Sequence, residues 1–238
     1  MAPLLDPRIE TGTEAELDLS GEIVTVTVGR DEHTKRFLVH TSVICKRSKF
    51  FEKAMNGDWK EAQDKNIKFP EDDPEIFSIY VQLLYKGVLS TKKLLTSNTS
   101  EPSNVWRQEY AVLARVYVLA EMLMDVKSKN LVLDAMLSKA REEFEGVCYF
   151  PRLEMVKIIY EGTPSRSPAR KFMVDCWSQI TKGSGSLGTS SRDKIPKDFL
   201  CDLAITMLDL KADPNNGAKI STCDPTKYHE IDSDKAAE

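Results

Sequence analysis

Few residues of the chain combine a reactive side chain with a spacing that chemistry can use. The histidines are His33, His40 and His229, and the cysteines are Cys45, Cys148, Cys176, Cys201 and Cys223. A metal site or a nucleophile–base pair needs such groups at short spacing or on one helical face. His40 and Cys45 lie close in sequence, but no second pair stands near them. No C-x-x-C occurs, so neither a zinc site nor a thioredoxin-like pair is indicated, and the spacing rules out zinc fingers. A lone histidine at a strand–helix junction, as His40 is, reads as a structural hydrogen-bonding residue. Glu161 could serve as a general acid. Its setting, Tyr160-Glu161-Gly162-Thr163-Pro164, reads instead as a helix end followed by a turn. Gly183-x-Gly185-x-x-Gly188 fits a dinucleotide-loop string, but no strand precedes it and its Ser/Thr-rich neighbours read as linker. Lys171 and Asp175 stand i,i+4 in the weaker Lys-first order, which contributes at most about 0.2–0.5 kcal/mol on a solvated helix face. The expectation is a chain that is not an enzyme, with no catalytic residue, metal ligand or cofactor.

Composition narrows the class further. At 238 residues, 41% hydrophobic and 29% charged, the chain can bury a core as one large or two small domains. A net charge of −4 argues against a nucleic-acid-binding face. Five widely spaced cysteines fit idle thiols in a reducing compartment, cytoplasmic and/or nuclear. Met1 to Pro7 has neither the basic start nor the apolar run of a secretory signal. No window approaches the roughly 18 apolar residues of a membrane span, so neither membrane nor nucleic acid is an expected partner. Asn98-Thr99-Ser100 matches a glycosylation sequon by chance.

The elements that position these residues follow from periodicity. Residues 1–20 read as a flexible leader broken by Pro3, Pro7 and Gly12. Ile23–Val28 alternates, with Val24, Val26 and Val28 on one face, and predicts a strand. Lys35–Val39 returns as its hairpin partner, burying Phe37 and Val39. Ser42 and Ser48 are N-cap candidates for two short helices, the second carrying Phe50, Phe51, Ala54 and Met55 and ending at Gly57. Asn66–Phe69 predicts a third strand. Asp73-Pro74 is a capping carboxylate followed by proline at the first helical position, and Gly87 suits a left-handed helix end. Ser90–Asn104 reads as loop. Apolar stripes from Val105 to Met124 and from Leu131 to Phe144 predict two helices with a bend near Asp125–Asn130. Leu153–Tyr160, a helix restarting at Ser167-Pro168 by the same cap-then-proline logic, and a last helix over Pro196–Leu210 follow, with a Gly/Ser-rich loop at 183–191. Residues 211–238 read as a disordered tail. Trp106 and Trp177 fall in core stripes, whereas Trp59 suits an exposed partner contact.

These pieces, in this order, resemble a BTB/POZ domain. The resemblance rests on the apolar strand Ile23–Val28, on Val39-His40, on Ser48-Lys49-Phe50-Phe51 and on Leu83-Leu84-Tyr85-Lys86-Gly87. It covers the chain to about Phe144. Ile159-Tyr160-Glu161-Gly162-Thr163-Pro164, Ser167-Pro168-Ala169-Arg170 and Val174-Asp175 resemble the helical extension of stand-alone BTB proteins from filamentous fungi. Glu22 stands where the family usually has Asp before the first strand.

The resemblance implies an α+β fold: a small three-stranded sheet covered by helices over 21–145, then an α-helical extension over 146–210. It makes His40, Ser48, Phe50, Phe51, Leu84, Tyr85 and Gly87 structural signature residues. It implies an adaptor or scaffold that binds protein partners, or alternatively a substrate adaptor of a cullin-3 ubiquitin ligase. Dimerising members carry an N-terminal helix and strand ahead of this core. The polar, proline-broken leader is poorly suited to supply them, so a homodimer remains an open but less favoured expectation.

Overall fold

A computed structural model describes residues 17–56, 64–92, 101–179, 194–217 and 219–232. Strand β1, Ile23–Val28, buries Val24, Val26 and Val28 completely. β2, Lys35–His40, lies antiparallel to it, from Ile23 opposite His40 to Val28 opposite Lys35. The turn between them bends at Gly29, whose φ is +91°; a Cβ there would sit 2.8 Å from the His33 carbonyl oxygen and 2.9 Å from the Pro74 ring. Any side chain is therefore both strained and obstructed at this position.

β3, Asn66–Phe69, pairs with β1 in parallel, so the sheet order is β2-β1-β3. A parallel pair needs a crossover. Here it includes α1, Thr41–Arg47, and α2, Lys49–Asn56. The covered face is aromatic: Phe51 meets Phe69 at 6.1 Å between ring centroids, Phe69 meets Phe77 at 6.0 Å, and Phe77 meets Phe37 at 5.0 Å.

α3, Pro74–Lys86, starts and stops as its sequence dictates. The Asp73 carboxylate accepts the Glu75 N–H at 2.9 Å. Gly87 takes φ 67° and returns its N–H to Leu83 O at 2.9 Å. α4, Pro102–Met122, packs against α3, against α5, Val126–Arg141, and against α6, Leu153–Gly162. α7, Pro168–Ser178, packs against α6 and against α8, Lys197–Ala212. One apolar core runs from Val24 of the sheet to Phe199 of α8 and Tyr228 beyond it. The molecule is thus α+β, a small three-stranded sheet with a helical extension. No helix of the described residues is long and apolar enough to cross a membrane.

Several expectations are corrected. Ser42 does not cap α1; its hydroxyl donates to the Asp18 carbonyl at 2.7 Å. Ser167 occupies the N-cap position of α7 without capping it, because its hydroxyl is 3.1 Å from that of Tyr117. Both serines are taken by partners distant in sequence. Glu143–Phe144 and Val147–Cys148 form a two-stranded hairpin, β4–β5, that periodicity over so few residues does not reveal. Its turn residues Glu145 and Gly146 both have positive φ, 51° and 76°, the geometry that suits the twist of a tight hairpin.

The largest correction concerns the tail. Instead of disorder from Lys211, α8 continues to Ala212 and residues 219–232 return across α5 and α7, burying Ile220 and Tyr228. Asp175 consequently does not lie on a solvated face beside Lys171. It is buried, accepts the Tyr228 hydroxyl at 2.8 Å and lies 3.3 Å from Lys227 Nζ. A segment of short turns and one 3-10 helix, Pro225–Tyr228, fixed to the core by a few side chains, leaves no apolar period to read.

Candidate interaction surfaces

His40 ends β2 and Tyr85 lies in the last turn of α3. The His40 backbone N–H donates to the Tyr85 hydroxyl oxygen at 3.0 Å, and His40 Nδ1 lies 2.8 Å from the same oxygen. With one lone pair occupied by the amide, the hydroxyl proton can be given to Nδ1. Ser48 caps α2 by accepting the Phe51 N–H at 3.2 Å, and donates its own proton to Leu123 O at 2.6 Å. Phe50 and Phe51 meet edge to face at 5.4 Å, Leu84 is buried, and Gly87 supplies the left-handed end of α3. Of these, the His40–Tyr85 contact ties β2 to α3, and Ser48 ties α2 to the end of α4. Trp59 lies outside the described residues.

Sequence reasoning saw Asp125 only as part of a bend. Its side chain is 0% exposed and caps α5 by accepting the Ser128 N–H at 2.8 Å. It also accepts the Tyr80 hydroxyl at 3.1 Å, the Ser128 hydroxyl at 2.7 Å, and Arg47 at 3.3 Å. Burial, reinforced by the Asp125 charge, pushes the Tyr80 hydroxyl well above the ordinary tyrosine range. The capping spacing from Asp125 to Ser128 was legible; the partners from α1 and α3 were not.

Among the described residues, three outward features stand out. The sheet face that no described element covers carries Ile23 and Leu38, the latter 65% exposed, among Thr25, Thr27, Arg36 and Lys68. Beside the end of α3 a cavity of about 290 Å³ is walled by Leu83, Leu89, Leu131 and Ala135, with Glu109 and Lys139 in its lining. These two buried charges pair at 2.6 Å, Lys139 lies 4.1 Å above the Trp106 ring, and the Thr91 hydroxyl donates to Glu109 at 3.2 Å. Val88 stands exposed on the cavity rim. Along α8, Leu200, Ile205, Met207 and Leu208 are exposed while Phe199 alone is fully buried. Among the described residues, no group of three His, Cys, Asp or Glu side chains is placed to hold a metal ion.

The strand order, the His40–Tyr85 junction and the capped α3 coincide with one comparison. Residues 15–102 match the BTB/POZ domain family model. That family is a protein–protein interaction module. The match ends at the first residue of α4, short of Phe144, to which the sequence resemblance extends. The chain beyond the BTB stretch nevertheless shares its core, through α4 against α3 and the Leu123 carbonyl on Ser48. No curated protein matches the chain.

Proposed function

We propose that this chain is an adaptor or scaffold that engages a protein partner through the outer surface of its BTB stretch, in the cytoplasm and/or nucleus. The observation that carries the reading is the BTB/POZ match over residues 15–102 on a sheet-and-helix unit whose outer face leaves Ile23 and Leu38 uncovered. Isolated exposed apolar residues are ordinary on protein surfaces; on the face of an interaction module they are the natural anchors. The resemblance of Ile159–Pro164, Ser167–Arg170 and Val174-Asp175 to the helical extension of stand-alone fungal BTB proteins is the support for kinship with that group.

The alternative, a cullin-3 ligase adaptor, draws support from Val88 on the rim of the apolar-walled cavity beside Gly87. Both readings are tested with purified Leu38→Asp and Val88→Asp variants, checked for unchanged denaturation midpoints. Saturable binding to the cullin-3 N-terminal region that is lost in Val88→Asp supports the ligase reading. A different stoichiometric partner, lost in either variant, supports the general adaptor. Partner binding indifferent to both substitutions overturns a BTB-surface mechanism.

A further inference from the structure

We infer that the cleft between α5 and α7 is a docking groove for an extended peptide with a Tyr-x-Glu-x-Asp pattern, and that the chain's own residues 228–232 occupy it as a built-in pseudo-ligand. The groove recognises main chain, anchor and charge separately. The Asn130 amide takes both backbone groups of Glu230: its nitrogen donates to Glu230 O at 2.9 Å and its oxygen accepts Glu230 N–H at 2.9 Å. Tyr228 closes the 3-10 turn Pro225–Tyr228 and the chain becomes extended at His229 (φ −81°, ψ 140°), so this two-point pairing reads the main chain just past the turn, whatever the side chain.

The anchor is Tyr228. Its ring is buried edge to face against Phe172 at 5.4 Å, and its hydroxyl reaches Asp175 at 2.8 Å. Two cations read the acidic positions that follow. Lys129, only 6% exposed, pairs with Glu230 while keeping Glu121 at 3.2 Å, and Lys49 meets Asp232 at 3.2 Å. His229, between anchor and acid, is turned to Asp134 at 2.7 Å. Ile231 points to solvent, 82% exposed, so the position between the two acids is unread.

An aromatic anchor in a pocket, a main-chain clamp and flanking complementary charges are the parts of a peptide-recognition site. Over residues 228–232 Tyr228 is the sole fully buried side chain, and the remaining contacts are polar. Loss of the segment leaves Lys129 still paired with Glu121, which makes the occupant exchangeable. A partner presenting the same pattern competes with the chain's own segment, whose covalent attachment gives it a high effective concentration. The inference stands on this groove alone, independently of what the BTB stretch binds.

The test uses the full chain and a fluorescein-labelled peptide bearing only Tyr, Glu and Asp at these spacings in a Gly/Ser background. The Tyr228→Ala/Glu230→Ala chain, altered in the pseudo-ligand and not in the groove, is expected to bind it at least tenfold more tightly than the wild type. Adding Asn130→Ala is expected to remove the gain. No gain, a gain that survives Asn130→Ala, or binding restricted to the chain's own 219–232 sequence overturns the inference. So does strap exchange into a dimer seen by light scattering, which makes a second copy the occupant. Should the double variant fail to fold, hydrogen exchange on the wild type decides. Exchange of the Glu230 amide while α4 and α5 stay protected, accelerated by excess peptide, supports the groove; exchange only with global unfolding overturns it.

Discussion

Tyr85 and His40 are joined through one oxygen: the tyrosine hydroxyl takes the histidine's backbone N–H at 3.0 Å and its ring nitrogen at 2.8 Å. Tyr85→Phe removes both contacts and leaves a half-buried amide without its acceptor. The expected cost is about 1–3 kcal/mol, read as a lowered urea midpoint. In a double-mutant cycle with His40→Ala the two losses should be markedly non-additive. Because His40→Ala keeps the backbone N–H, strict additivity would show that the Nδ1 contact adds nothing and that the amide alone ties β2 to Tyr85.

Asp125 collects Tyr80, Arg47 and Ser128 in a fully buried position. Asp125→Ala leaves the Arg47 guanidinium without its carboxylate, with the Ser128 hydroxyl still accepting at 2.8 Å, takes the acceptor from the Tyr80 hydroxyl, and is expected to cost about 3–5 kcal/mol in chemical denaturation. A loss below 1 kcal/mol would show that water replaces the carboxylate.

Stability should fall at alkaline pH, in part through Tyr80. An unfolded tyrosine ionises near pH 10.0, while burial and then Asp125 hold the folded hydroxyl well above that. Folding therefore favours the protonated form. The contribution is complete below pH 10 and disappears as pH climbs toward the folded value, at about 1.4 kcal/mol per pH unit for one group. Tyr110 and Tyr228 are raised in the same direction, chiefly by burial. Urea titrations at pH 9 to 11 should give a shallower decline for Tyr80→Phe than for the wild type. Parallel slopes would remove Tyr80 from the account.

The cysteines should react in an order set by burial and thiol acidity. Cys148 and Cys201 are exposed, Cys176 is buried, and burial, then Glu52, pushes the Cys45 thiol up to about 11. At pH 8 roughly a thousandth of Cys45 is thiolate. Timed iodoacetamide labelling with mass detection should show Cys148 and Cys201 modified first, Cys45 at least tenfold later, and Cys176 only on unfolding. Early Cys45 labelling contradicts its placement.

α8 is held almost entirely by its first turns. Phe199→Ala opens space between Tyr160 and Trp177, whose rings both lie 5.5 Å from Phe199, and should cost about 3–5 kcal/mol. Leu208→Ser, at a residue 66% exposed, should stay within about 0.5 kcal/mol. Comparable losses at both positions would mean that the outer face of α8 is covered in solution.

What the sequence made legible is local. The valine alternation of β1, the Asp73-Pro74 start and Gly87 end of α3, and the Ser48 cap each depend on neighbours within a few positions. The misreadings share one cause. Ser42, Ser167 and Asp175 have the spacing of caps or helical ion pairs, but their side chains are claimed by Asp18, Tyr117 and Tyr228. Asp125 as a meeting point for α1, α3 and α5 is likewise non-local, and the returning tail has only Ile220 and Tyr228 as buried anchors in a polar stretch. Arg170 shows the same limit. Its neighbourhood carries the family resemblance, yet its work is to donate to Tyr160 O at 2.7 Å and to Thr163 at the end of α6.

The clamp between Asn130 and Glu230 also orders assembly in time. Its two ends are 100 residues apart, and the Tyr228 pocket needs α7 in place beside α5. Closing so long a loop yields no contact until both helices stand, so the segment must settle last, onto a finished surface. Refolding is therefore expected to show core fluorescence recovering before the final residues dock, and a pull on the C-terminal side to peel them away before any strand gives; a single coincident phase by both probes would contradict this order.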